Sequence, residues 1–85
     1  MNKKSIQKRI INIVDAVLNP KNPINESTNL RKDLNMTVSQ KIELAQCCEY
    51  EFDLKLSFSE INDLTAGTVK DMIDFISDFI EPFDK

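Results

Sequence analysis

Three observations predict an all-α fold for this chain. It holds a single glycine, Gly67, and three prolines, whereas a hairpin-rich β domain needs several residues able to take positive φ at its turns. Two stretches place apolar residues at helical spacing: Ile6, Ile10, Ile13, Val14 and Val17, and later Val69, Met72, Ile73, Ile76 and Ile80. Between them, Thr37-Val38-Ser39-Gln40 has the form of a capping box, with Thr37 at the N-cap and Gln40 reaching back from the third helical position. With 85 residues, 41% of them hydrophobic and 29% charged, the chain has room for one core, so residues 1–85 are read as a single domain. The expected architecture is a small helical bundle: three longer helices, one short one, and a long loop after the first.

The first helix is expected from about Lys4 to Leu18, with Lys8, Arg9 and Asp15 off the apolar stripe. Pro20 and Pro23 end it and open the long loop. Leu30 and Leu34, four apart, are expected to pin a short turn within that loop onto the core. The second helix starts at the capping box and buries Leu44, Ala45, Cys48 and Phe52, which share an arc of about 100°. Ser39, Glu43, Gln46 and Tyr50 gather on its polar side. Asp53 to Ser57 alternates but is too short to make a sheet, and reads as an extended connector burying Leu54 and Leu56. Ser57 or Ser59 caps a short helical turn through Ile61 and Leu64. Gly67 marks a turn, Thr68 with Asp71 starts the last helix, Phe75 and Phe79 widen its stripe, and it ends before Pro82.

Composition removes whole classes of function. Without histidine, every Ser-His, Cys-His and His-metal site is absent. One glycine cannot build a dinucleotide fingerprint or a phosphate loop, which use several to bring backbone amides against phosphate. An enzyme is not expected, and no catalytic or metal-binding residue is assigned. The net charge of −3 disfavours nucleic acid as the main partner. That charge is uneven: residues 1–32 sum to +5 and residues 33–85 to −8. The basic start around Lys3, Lys4, Lys8 and Arg9 reads as a solvated helix face.

Cys47 and Cys48 are adjacent, so their side chains diverge by about 100° on a helix and do not bridge within it. Reduced thiols, and hence a cytoplasmic setting, are expected, with Cys48 acting as a small core hydrophobe. The lysines followed by Ile10-Ile11-Asn12-Ile13-Val14 imitate a leader, but Asn12 and Asp15 interrupt the run. No run of eighteen apolar residues exists to span a membrane.

Four segments, taken in order, resemble the acyl carrier proteins. They are Leu30-Arg31-Lys32-Asp33-Leu34-Asn35, then Ile42-Glu43-Leu44, then Glu49-Tyr50-Glu51-Phe52-Asp53-Leu54-Lys55-Leu56, and finally Thr68-Val69-Lys70-Asp71-Met72-Ile73-Asp74-Phe75-Ile76. That family shows a Phe-x-x-Asp-Leu-Gly run before its second helix and Glu-Glu-x-Phe-x-Ile-x-Ile after it. A Thr-Val-x-Asp stretch opens its last helix. The resemblance covers about Glu26 to Ile80. It implies a carrier fold whose 4'-phosphopantetheine arm is held on the serine of an Asp-Ser-Leu triplet at the start of the second helix. The gapless register lays Thr37-Val38-Ser39 over that triplet, so Val38 occupies the attachment position. Valine has no hydroxyl to accept the phosphodiester. Ser39 stands one residue late, about 100° around the axis and 1.5 Å along it. Gln40 and Lys41 stand where the family carries acids, and Ala66-Gly67 is a two-residue insertion.

The resemblance therefore implies a carrier-like domain of acyl, fatty-acid or polyketide metabolism without its arm, acting as a binding or interaction module and as a monomer. Its protein partners would be acyl-processing or carrier-dependent enzymes, met by Ser39, Glu43, Gln46, Glu49 and Tyr50. Two alternatives stand beside it. One is a working carrier that uses Ser39 as the cofactor attachment; the other is an unrelated helical adaptor.

Overall fold

The computed structural model describes residues 2–80, and all of its regular structure is helical. Four helices follow in order: α1 (Lys3–Leu18), α2 (Val38–Phe52), α3 (Phe58–Leu64) and α4 (Val69–Ile80). Helix α1 packs against both α2 and α4, while the short α3 joins the other side of α2 to α4. The expected bundle of three longer helices, one short helix and a long first loop is what forms. The end of the last helix at Pro82 lies outside the described residues.

Each boundary has a local cause. Asn2 caps α1, its side-chain oxygen accepting the Ser5 N–H at 2.8 Å. The helix stops at Asn19, which takes a left-handed φ of 45° immediately before Pro20. Asparagine tolerates that conformation, and proline cannot continue a helix. The box at the start of α2 is complete: Gln40 N–H donates to Thr37 Oγ1 at 3.1 Å, and Thr37 N–H donates to Gln40 Oε1 at 2.9 Å. Asp53 ends α2 in the left-handed region at φ 53°. Of the two serines considered for α3, Ser57 is the cap, boxed with Glu60. Thr68 and Asp71 exchange the same pair of bonds at the start of α4.

The core gathers one stripe from every element: Ile6, Ile10 and Val14; Leu44, Ala45, Cys48 and Phe52; Leu64; and Val69, Met72, Ile73 and Ile76. Leu30 is fully buried among them, with Leu34 packed alongside, so the long loop is anchored as the leucine spacing predicts. Its backbone is tied down as well. Leu30 N–H donates to the Gly67 carbonyl, while Val69 and Lys70 N–H donate to the Thr28 and Glu26 carbonyls at 2.9 Å. Those two amides belong to the first turn of α4 and have no partner within the helix, so the loop satisfies them.

Gly67 is explained by space, since its φ is not positive. A Cβ on Gly67 would come within about 2 Å of Asp71 Oδ2, the atom that accepts the Thr68 N–H in the α4 cap.

Candidate functional site

Helix α2 places every residue singled out in the sequence. Val38 is its first residue, directly after the Thr37 cap, and is 74% exposed. Ser39 follows, also exposed, one step around the helix. The register derived from the sequence thus ends on a side chain that faces solvent at the helix start, but that side chain is an isopropyl group.

Ser39, Glu43, Gln46 and Tyr50 do share an exposed face, and Tyr50 is 91% exposed. A tyrosine packed against a neighbouring loop would not be so bare. Glu49 departs from its expected place on this face. Its side chain is half-buried and turns toward the connector, where Oε2 accepts the Leu56 N–H at 2.8 Å. The reversal of the chain at Asp53 brings Leu56 back alongside α2, and the carboxylate satisfies an amide that has no helix to join. Glu49 is a structural clamp for the Leu54–Leu56 connector.

The fold adds residues that sequence patterning did not assign. Arg9 of α1 reaches Glu51 of α2, 2.6 Å from its carboxylate. Beside this pair runs a groove of about 460 Å³ between α1 and α2, floored by Ile13, Ala16 and Cys47 and bordered by Glu43, Gln46 and Tyr50. Arg9 lines the same groove as Cys47, a basic neighbour invisible in the local sequence, but its guanidinium is already held by Glu51. Cys48 is fully buried, and burial pushes its thiol up to about 12, which removes it as a nucleophile.

Three further apolar side chains are left uncovered near the start of α2: Val38, Ile42 at 42% exposure and Phe58 at 73%. Val38 and Ile42 are four apart and so share a strip of the helix surface. Lys41 links them to α3, its ammonium lying 5.8 Å from the centre of the Phe58 ring and bonding to Asn62 Oδ1. The signal for this strip was present in the sequence, since Val38 and Ile42 lie off the Leu44–Cys48–Phe52 stripe.

Among the described residues there is no cluster of metal-ligating side chains and no helix long and apolar enough to cross a membrane. No family model matches the chain, and no curated protein matches it.

Proposed function

We propose that this chain is a carrier-like interaction domain that holds no phosphopantetheine arm and works by docking to protein partners through α2. One observation carries the reading: Val38, the residue in register with the family's attachment serine, is the exposed first residue of α2. The resemblance brings the acyl-processing enzymes as partners, and the free thiols Cys47 and Cys48 accord with a cytoplasmic setting. Ser39, Glu43, Gln46 and Tyr50 form the docking face; Glu49, engaged with Leu56, leaves it. An exposed tyrosine bordered by carboxylates has the chemistry of an interface anchor, because it offers a large rigid ring at low entropic cost.

A second reading rests on Ser39, whose hydroxyl is exposed one residue after Val38. On that reading the chain is a working carrier with a displaced arm. The discriminating experiment is the intact mass after incubation with coenzyme A and a broad phosphopantetheinyl transferase. An unchanged mass supports the interaction module, and complete labelling at Ser39 supports the second reading.

A further inference from the structure

Helix α1 opens on cations. It carries Lys3, Lys4, Lys8 and Arg9 within its first two turns, and its first turn holds no acid. The positive end of the helix dipole lies there, so Lys3 and Lys4 weigh against the helix unless something answers them. Two of the four cations are answered inside the molecule: Lys3 meets Asp74 and Arg9 meets Glu51, each at 2.6 Å. Lys4 and Lys8 are exposed, and among the described residues neither meets a carboxylate.

The surface beside those two lysines has a shape. They stand four apart on one side of α1, and with Gln7, Ile11 and Asn12 they line a shallow hollow of about 470 Å³. Its lining is chiefly aliphatic, made of Ile11 and the stems of Lys4 and Lys8. Ile11 is half-buried, so the hollow receives an apolar group rather than presenting one. Asp15, exposed on the same side seven residues past Lys8, closes the basic stretch. The solvated face expected from the sequence thus has a definite form: an apolar hollow beside two unanswered ammonium groups.

We infer that this face of α1 binds an acidic amphipathic helix of another protein. Two carboxylates four residues apart on that helix lie over Lys4 and Lys8, and an apolar side chain one turn away fills the Ile11 hollow. Charge and spacing both match, since residues four apart are separated by about 6 Å along either helix. The apolar side chain leaves water for a lining that is already aliphatic. A bilayer is served worse, because Ile11 does not protrude to insert. A nucleic-acid backbone would use the lysines but leave the hollow idle, against a chain whose net charge is −3. The inference draws on neither Val38 nor the α2 face, so it stands apart from the carrier reading.

The experiment is an NMR titration of the isotope-labelled full chain with an alanine-based helical peptide bearing Leu-x-x-Glu-x-x-x-Glu-x-x-Leu, which offers the pattern in either direction. Amide shifts are expected at Lys4, Lys8 and Ile11 and not along α2, saturating at about hundreds of micromolar peptide and weakening as salt rises. The double variant Lys4→Glu/Lys8→Glu weakens binding about tenfold or more and transfers it to the same peptide with lysines in place of its glutamates. That variant is expected to melt no lower than the wild type, since an acid in the first turn suits the helix dipole. A lower melting temperature with peptide binding unchanged would make the two lysines structural and overturn the inference. So would α1 amides that do not move, or equal binding of the lysine and glutamate peptides. Binding to phosphatidylserine vesicles in place of the peptide also overturns it and makes the face a lipid contact.

Discussion

Glu49 and Leu56 are joined by a single bond, carboxylate Oε2 to backbone N–H at 2.8 Å, across the left-handed turn at Asp53. That bond separates Glu49, a structural acid, from the exposed Glu43 on the same helix. Removing it strands the Leu56 amide and releases a connector whose Leu54 and Leu56 pack against the core. A partly buried hydrogen bond to a charged acceptor contributes about 1–2 kcal/mol. Glu49→Ala is therefore expected to lower stability by about that amount in urea unfolding, while Glu43→Ala changes it by less than about 0.5 kcal/mol. Equal effects of the two substitutions would contradict the assignment.

Gly67 supplies a second prediction. A methyl group there collides with the Asp71 carboxylate and drives it off the Thr68 N–H. Gly67→Ala normally stabilises a residue of negative φ by restricting the unfolded chain. Here the lost cap outweighs that gain, and a net loss of about 1 kcal/mol is expected. Combining it with Asp71→Ala removes the collision partner, so the two losses should be clearly less than additive by thermal unfolding.

Asp74 gives a pH dependence. Hydrogen bonds from Lys3 and then Lys70 hold its carboxyl below the usual 3.8, with the ammonium of Lys3 at 2.6 Å and that of Lys70 at 2.9 Å. A carboxyl whose folded pKa is depressed favours folding at pH values above its unfolded pKa. That contribution fades as pH falls below about 4, through the depressed folded value. The lysines are largely exposed, so the effect is small and salt-sensitive. Asp74→Asn is expected to flatten the acid side of the stability profile below pH 4, most visibly at low ionic strength. An unchanged profile at low salt would count against the triad.

The fold was legible in the sequence wherever its cause was local. The boxes at Thr37, Ser57 and Thr68 depend on residues three apart, and all form. Leu30 and Cys48 were read from spacing and lie in the core. What escaped the sequence depends on chain reversals. Glu49 meets an amide seven residues on only because Asp53 turns the chain back, and Arg9 meets Glu51 across 42 positions. The exposed face of Ser39, Glu43, Gln46 and Tyr50, by contrast, follows from helical spacing within α2 and was legible there.

Tyr50 tests the proposed docking face. At 91% exposure it contributes little to folding, so Tyr50→Ala is expected to shift the melting temperature by no more than about 2–4 °C. It should nonetheless weaken capture of native partners, and Glu43→Lys should slow that association chiefly at low salt. A markedly lower melting temperature with partner binding intact would make Tyr50 a packing residue and remove α2's claim as the recognition surface.

Val38 carries the central claim, and placing a hydroxyl there is its direct test. The substitutions Thr37→Asp, Val38→Ser and Ser39→Leu keep an N-cap oxygen and alter only exposed positions. Val38→Ser itself should cost no more than about 0.5 kcal/mol. The decisive measurement is intact mass of the wild-type chain and this triple variant, side by side, after coenzyme A and a broad phosphopantetheinyl transferase. The account predicts an unchanged wild type and a triple variant heavier by one phosphopantetheine group. A wild type labelled to completion at Ser39 would contradict it, and a folded triple variant that stays unlabelled would show that the missing hydroxyl is not what keeps this chain bare.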